Sequence, residues 1–243
     1  MKLIVLDCDG VLSAGEAQPF DPALLARLAQ LNRRARRGEP VPAVTLNTGR
    51  PSPYVEAVMQ AIDGWQPALF ESGAGLYFPQ DYRFETTPLF TFSHAAALMT
   101  IIDRIDETLV ASGRAYWQPG KTVCHSLFAR QPHTVADFFA DVQQIVQSVS
   151  SEITVKQAKL ALNIHPVDVH KGTGLRRLAE VTGISPAEMG GIGDTAGDID
   201  FLRMVGFSGA PANAAPEVRQ VAGYVSPFAD AAGTADILNH WQV

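Results

Sequence analysis

The sequence predicts an α/β fold, a doubly wound parallel sheet into which an α+β domain is inserted. Short apolar segments alternate with amphipathic helical segments at both ends of the 243-residue chain, and this alternation stops in the middle. Short apolar strands separated by helices are typical of parallel sheets that helices cover on both faces. We therefore expect a core formed by residues 1–74 and 166–243, and an inserted domain formed by residues 75–165.

The composition fits a soluble intracellular protein. It is 47% hydrophobic and 18% charged, and its net charge of −6 without a long basic block argues against a nucleic-acid partner. No apolar run reaches membrane-spanning length, and the first residues lead into a strand rather than a signal peptide. Cys8 and Cys124 form no disulfide framework. We expect a cytoplasmic protein with no membrane partner, and the sequence does not indicate its oligomeric state.

The first half of the predicted core begins with a buried strand at residues 3–6. Asp21 and Pro22 are typical of an N-cap and a first helical residue, and an apolar stripe at helical spacing follows them. Four arginines at 33–37 suit the last turn of that helix, where cations meet its negative end. The next predicted elements are a strand at 43–46, a helix from Ser52 and a strand at 68–70.

The middle of the chain reads as an α+β segment. Its predicted elements are strands at 76–78, 115–117, 123–129 and 160–164 and helices at 94–110 and 135–149. Alternation resumes after Lys171. The elements predicted there are helices at 175–181, 198–204, 216–221 and 233–241, and strands at 189–192, 207–209 and 224–225.

Two carboxylates follow the first strand directly. If the backbone stays extended, Asp7 and Asp9 point to one side and Cys8 points to the other. Gly10 then allows a sharp turn. Two like charges at a strand end repel each other, so we expect either a bound cation or a nucleophile paired with a proton carrier. The alternative is an ordinary turn rich in aspartate.

A second acidic segment, residues 191–200, follows another predicted strand. Its glycines match a dinucleotide-binding fingerprint, but Asp194 would face the pyrophosphate, and no clear ribose-binding carboxylate follows. We therefore favour a carboxylate cluster, with Asp194 and Asp198 around a helix N-terminus. The alternative is an aspartate N-cap with a charged first turn. It accounts well for one of these carboxylates and less well for the whole cluster.

These segments are expected to meet, because binding sites in open α/β sheets lie outside the carboxyl ends of the strands. Four carboxylates in one crevice require positive charge, which Mg²⁺ supplies. Thr48 and Lys171 offer a hydroxyl donor and a compact cation, which suit a phosphoryl group. Taken singly, Lys171 could be an exposed lysine, and Thr48 could belong to a turn before Gly49.

Four ordered segments resemble the motifs of the haloacid dehalogenase-like (HAD) phosphatase superfamily: residues 6–11, 47–50, 170–172 and 193–198. The inserted segment resembles the large α/β cap of a subgroup that includes sugar-phosphate and phosphoglycolate phosphatases. The resemblance implies a Rossmann-like core with a cap domain that selects the substrate. The chain departs from the usual motifs at Val11, where Thr is common, and at Gly197, where Asn is common.

The resemblance also implies roles for the motif residues. Asp7 would be the nucleophile that forms an aspartyl-phosphate, and Asp9 would protonate the leaving oxygen and later deprotonate water. Mg²⁺ would bind Asp7, the backbone carbonyl of Asp9 and Asp194, with Asp198 as a further ligand or a partner of the ligands. Thr48, Gly49 and Lys171 would bind the phosphoryl oxygens.

The implied function is Mg²⁺-dependent hydrolysis of a small phosphorylated metabolite, such as a sugar phosphate or phosphoglycolate. A phosphomutase of the same superfamily is one alternative. A non-catalytic metabolite-binding protein is another, against which the complete motif set argues. Arg50 is expected to contact the substrate or to pair with a nearby acid. Candidate cap residues near the site are Tyr116, His125, Arg130, Lys156, Lys159 and Asn163, although His125 fits a packed core residue and the lysines fit a solvated face.

Overall fold

The computed structural model describes residues 1–158 and 160–243, so the predicted position of Lys159 lies outside the described residues. The chain forms two compact units. The first combines Met1–Glu85 with His170–Val243, and the second is Thr86–Val169. From the sequence, the inserted domain is expected at residues 75–165.

The helices and strands are numbered in chain order. The strands are β1 (Leu3–Leu6), β2 (Ala43–Leu46), β3 (Ala68–Phe70), β4 (Gly75–Phe78), β5 (Arg83–Thr86), β6 (Ala115–Trp117), β7 (His125–Ala129), β8 (Ile153–Gln157), β9 (Ala161–Pro166), β10 (Met189–Ile192), β11 (Phe207–Ala210) and β12 (Tyr224–Val225). The α-helices are α1 (Pro22–Arg36), α2 (Ser52–Ala61), α3 (Phe92–Ile105), α4 (Phe139–Val149), α5 (Lys171–Thr182), α6 (Ile199–Leu202), α7 (Pro216–Val221) and α8 (Asp230–His240).

The first unit is built on a parallel sheet with the strand order β12-β11-β10-β1-β2. Alternate residues of β1 point to opposite faces of this sheet. Ile4 and Leu6 pack in one buried cluster with residues of α1, α2 and α8. Leu3 and Val5 pack in another with residues of α5, α6 and α7. Helices therefore cover both faces, which confirms the predicted doubly wound α/β core.

The register of the sheet determines which residues reach its carboxyl edge together. Leu6 of β1 lies opposite Leu46 of β2 and Ile192 of β10. The chain therefore leaves the sheet at Asp7, Asn47 and Gly193 in neighbouring positions. This alignment brings three of the sequence motifs to the same edge.

An antiparallel sheet of β3, β4 and β5 adjoins the end of β2 through a bridge between Asn47 and Leu69. In this sheet β4, predicted as the first strand of the insert, pairs with β3 from Ala68–Tyr77 to Phe70–Gly75. This pairing keeps β4 with the first unit. The strand β5 was not predicted, because its sequence Arg-Phe-Glu-Thr is short and largely exposed.

The second unit has an antiparallel sheet in the order β6-β7-β9-β8, with α3 and α4 packed against one face. Its α+β character agrees with the sequence prediction. The helix predicted to reach residue 110 is α-helical only to Ile105 and continues as a π-helical turn. The helix predicted from residue 135 begins with a 3₁₀ turn before α4. The strand β8 was missed. Among the residues that the structure describes, no helix combines the length and apolarity needed to cross a membrane.

Candidate active site

Asp7 occupies the first position after β1, where its backbone N–H continues the parallel ladder by donating to the Ile192 carbonyl at 3.0 Å. The neighbouring Cys8 packs in the apolar cluster on the α1 side of the sheet, so the two side chains diverge as the strand geometry predicted. Burial, together with the charge of Asp7, raises the pKa of the Cys8 thiol. Cys8 is therefore a neutral packing residue.

Gly10 makes the turn that follows these residues. Its φ of +76° lies in the left-handed region that favours glycine. A β-carbon at this position would overlap the carboxylate of Asp194. Glycine is thus required both by the turn and by the close approach of the two acidic motifs.

Lys171 is the first residue of α5, whereas the sequence predicted it just ahead of the helix. It is buried, and its Nζ lies 2.7 Å from Asp7 Oδ2 and 2.5 Å from Asp198 Oδ1. Burial lowers the pKa of Lys171, but the facing carboxylates raise it above its usual value. The lysine is therefore a charged ammonium between two acids and not an exposed surface residue.

Asp198 is fully buried and uses both carboxylate oxygens. Its Oδ1 binds Lys171, while its Oδ2 accepts hydrogen bonds from Asp194 N at 3.1 Å, Thr195 N at 2.8 Å and Thr195 Oγ1 at 2.9 Å. Of the two roles that the sequence left open, this geometry favours a partner that holds Lys171 and the Asp194 loop.

Asp7, Asp194 and Asp198 each offer an oxygen atom, and these atoms all lie within 4.8 Å of one another. Asp194 Oδ1 is buried and has no hydrogen-bond partner within the described residues. Burial, followed by the charges of Asp7 and Asp198, raises the pKa of Asp194 to about 8. Burial also raises the pKa of Asp7 to about 6, although Lys171 opposes this. A buried carboxylate oxygen without a partner, among other hard oxygen donors, fits a divalent cation such as Mg²⁺.

Asp9 is paired with Arg50, whereas Asp7 and Asp198 contact Lys171. Arg50 Nε and Nη2 each donate to one Asp9 carboxylate oxygen at 2.6 Å, and the guanidinium lies over the Tyr54 ring, 4.7 Å from its centroid. Of the two predicted roles of Arg50, the structure shows the pairing with a nearby acid. Because Arg50 binds both carboxylate oxygens of Asp9, the backbone carbonyl of Asp9 is the oxygen that stays available for the metal contact that the resemblance implied.

Thr48 is buried two residues after β2, and its Oγ1 accepts a hydrogen bond from Arg50 N at 3.3 Å. Gly49 lies between them. The preceding Asn47 was not predicted as a site residue, but its Nδ2 donates to the Lys171 carbonyl at 3.1 Å. Asn47 thereby ties the end of β2 to the first turn of α5. Its position beside Thr48 was the only indication in the sequence.

Four of the predicted cap candidates share one face of the second unit's sheet. Tyr116 stacks on Phe128 with ring centroids 5.6 Å apart, and the Arg130 guanidinium lies 5.2 Å from the Tyr116 ring centroid. Lys156 is paired with Asn163, and directly opposed residues of antiparallel strands share a face. His125 is paired with the core residue Ile164 on the opposite face, which agrees with a packing role.

Comparisons with known proteins agree with this architecture. A sequence profile of haloacid dehalogenase-like hydrolases matches residues 117–238, half of the chain. The phosphoglycolate phosphatase of Staphylothermus marinus is 25% identical over 241 residues, which cover 98% of this chain and 96% of that protein.

Solved structures show the same fold. The crystal structure of Thermoplasma acidophilum 0175 superposes with a TM-score of 0.75 at 16% identity, covering 100% of this chain and 98% of that one. A HAD subclass IIB sugar phosphatase superposes with a TM-score of 0.70 at 14% identity, covering 100% of this chain and 99% of that one.

The α/β core with an inserted α+β unit carries an acidic cluster beside a buried lysine, an arrangement suited to a cation and an anionic group. The chain belongs to the haloacid dehalogenase-like hydrolases. These similarities confirm the predicted superfamily and the predicted enzyme class, a phosphatase.

Proposed function

We propose that the protein is a Mg²⁺-dependent phosphatase that hydrolyses a small phosphorylated metabolite through an aspartyl-phosphate on Asp7. The observation that carries this proposal is the contact of Lys171 Nζ with Asp7 Oδ2 at 2.7 Å, beside a buried oxygen of Asp194 that has no hydrogen-bond partner in the described part of the chain. A nucleophilic carboxylate, a fixed cation and a site for a metal ion are thereby assembled at one strand edge. Phosphoryl transfer depends mainly on such positioning and charge neutralisation.

In the first step, an oxygen of the Asp7 carboxylate forms a bond to phosphorus while the bond from phosphorus to the leaving oxygen breaks. Asp9 gives its proton to that leaving oxygen, which requires Arg50 to release at least one of the two Asp9 carboxylate oxygens that it binds here. In the second step, water attacks the aspartyl-phosphate and Asp9 takes a proton from it. Inorganic phosphate leaves, and the Asp7 carboxylate is restored.

The remaining residues bind and orient the transferring group. Lys171, with Thr48 and Gly49, would donate to the phosphoryl oxygens, whose charge grows in the transition state. Asp7, Asp194 and the Asp9 carbonyl would hold Mg²⁺, which supplies further neutralisation of that charge. Asp198 keeps Lys171 in place from the opposite side.

For the substrate we propose the class suggested by the similar proteins, a sugar phosphate or phosphoglycolate. The Staphylothermus marinus relative is named for phosphoglycolate, and a similar solved structure is that of a sugar phosphatase. Release of phosphate from a panel of such compounds, measured with Mg²⁺ and with EDTA, tests the class. We expect release with Mg²⁺ and none with EDTA. Isomerised sugar phosphate without released phosphate would show a mutase instead.

The role of Asp7 is tested by Asp7→Asn, which replaces the nucleophile with a near-isostere. We expect phosphate release to fall below detection while the circular dichroism spectrum stays unchanged. Asp103→Asn, the same replacement at an exposed position of α3, is the matched control and should retain full activity. An Asp7→Asn enzyme as active as the control would refute the assignment.

A further inference from the structure

The turn that carries Gly10 is held by a residue 203 positions away in the sequence. Asn213 follows β11, and its Nδ2 donates to the Gly10 carbonyl at 3.0 Å. Its Oδ1 accepts from the backbone N–H of Asp230, the first residue of α8, at 2.8 Å. Both ends of one amide are therefore engaged, and this amide links the turn after Asp9 to the start of α8.

The loop that contains Asn213 also holds the second acidic motif. The backbone N–H of Ala215 donates to the Asp194 carbonyl at 2.8 Å. Asn213 and Ala215 lie two residues apart in this loop. The side chain of Asn213 binds the main chain of Gly10, and the backbone of Ala215 binds the main chain of Asp194. The position of this loop sets the spacing between the two acidic motifs.

That spacing is tight. A β-carbon on Gly10 would overlap the Asp194 carboxylate and would lie 3.1 Å from Asn213 Nδ2. Gly10, Asp194 and Asn213 therefore meet at one point. A small displacement of the Gly10 turn would change the distance from Asp194 to Asp7 and to the Asp9 carbonyl, which are the groups that the proposed function assigns to the metal ion.

We propose that Asn213 is a positioning residue that preorganises the divalent-cation site by fixing the Gly10 turn against Asp194. This inference rests on the proposed function for the identity of the metal ligands. An amide suits the task because it donates in one direction and accepts in another. Asn213 is exposed, so its hydrogen bonds contribute little to the stability of the fold, and their main effect falls on the geometry of the site.

The test measures Mg²⁺ binding directly, by calorimetric titration and by the increase of the melting temperature with Mg²⁺ concentration. The variants are Asn213→Ala, which removes the amide, and Asn213→Leu, which removes the hydrogen bonds but keeps the volume. Asn239→Ala, at an exposed position of α8, is the matched control. Because residues that orient metal ligands typically affect affinity about tenfold or more, we expect both Asn213 variants to require about tenfold more Mg²⁺.

We also expect both variants to melt like the wild type in EDTA and to recover the wild-type kcat at saturating Mg²⁺, which a general loss of structure would not allow. Wild-type Mg²⁺ affinity in both variants would overturn the inference. Weakened Mg²⁺ binding in a protein that hydrolyses no phosphate ester would support the inference and contradict the proposed function. A wild-type protein that binds no Mg²⁺ would overturn both.

Discussion

At the scale of single residues, the site depends on a buried ammonium between two carboxylates. Lys171 contacts Asp7 and Asp198, and none of these three side chains has more than 8% of its surface exposed. Such a group is costly to remove, because the remaining charges stay buried without compensation. Asp7 and Asp198 would then repel each other at the position where the proposed function places the phosphoryl group.

Lys171→Met keeps most of the side-chain volume and removes the charge. We expect kcat/KM to fall by about 10²- to 10³-fold, as when one donor to a developing oxyanion is lost. We also expect about 3–5 kcal/mol lower stability at pH 8, because two facing carboxylates lose their cation. Steady-state kinetics and urea denaturation measure the two effects. Lys2→Met, at an exposed position before β1, is the control, and an equal loss in both variants would contradict the role of Lys171.

The raised pKa of Asp194 predicts how stability depends on pH. Its pKa is raised from 3.8 to about 8 in the folded protein, so the folded state holds the proton more tightly than the unfolded state. The stabilisation from this group is fully present below about pH 4 and is lost as the pH rises through about 8. Under the proposed function Mg²⁺ binds the deprotonated carboxylate of Asp194, so it should stabilise the protein more at high pH.

We therefore expect the increase of the melting temperature caused by Mg²⁺ to be larger at pH 8.5 than at pH 5.5. In EDTA, wild type and Asp194→Asn should differ in the slope of melting temperature against pH, with the steeper decline in the wild type. Differential scanning fluorimetry across this range measures both quantities. Identical slopes in the two proteins would show that Asp194 does not titrate in this window.

At the scale of elements, α5 approaches the turn after β3 through two glycines. A β-carbon on Gly174 would lie 2.6 Å from Gly73 Cα, and one on Gly73 would lie 2.7 Å from the His170 carbonyl. Gly73 also has a φ of +93°. This contact between two backbones fixes how closely the first turn of α5 approaches the turn after β3, and hence the position of Lys171.

Gly174→Ala tests this contact. Alanine favours a helix by up to about 1 kcal/mol over glycine, but the overlap with backbone atoms should outweigh this gain and destabilise the protein by about 1–3 kcal/mol. We also expect lower kcat, because Lys171 moves with α5. Gly197→Ala is the matched control, since its nearest neighbour would be 3.6 Å away. A Gly174→Ala enzyme with increased stability and full activity would contradict the packing argument.

The sequence predicted elements best where the hydrophobic pattern and the caps agree. Asp21 was predicted as the N-cap of α1, and its side chain accepts hydrogen bonds from the N–H groups of Ala23 and Leu24. The strand β5 was not predictable in this way, because its residues are mostly exposed and carry no apolar alternation. The alternating Ile-Thr-Val-Lys-Gln of β8 did carry a strand pattern and was overlooked.

At the scale of the whole molecule, the site follows from which strands are neighbours. The rule that ligands bind at the carboxyl ends of parallel strands predicted that Asp7, Thr48 and Asp194 would meet. The contact of Asn213 with Gly10 could not be predicted, because it depends on where the loop after β11 lies once the sheet is formed. The same holds for Thr234 of α8, whose Oγ1 donates to the Val11 carbonyl at 2.7 Å.

The second unit has a hydrophobic core of its own, formed by α3 and α4 against the sheet. A segment with its own core can fold alone. We expect residues 86–169, expressed separately, to show an α/β circular dichroism spectrum and a cooperative thermal transition. Leu127→Asp, which places a charge in that core, should abolish the transition. A non-cooperative melt of the unmodified segment would show that its core is insufficient.

Because β1 is the central strand, a mutation that changes its length would disturb the packing of the fold and the active-site residues together. This strand lies between β10 and β2, and its residues alternate between the two apolar layers. Deleting one residue from it would exchange the two sets of side chains and turn Cys8 toward the crevice in place of Asp7. Genetic variation in this strand should therefore accumulate through substitutions of similar size and never through changes of length.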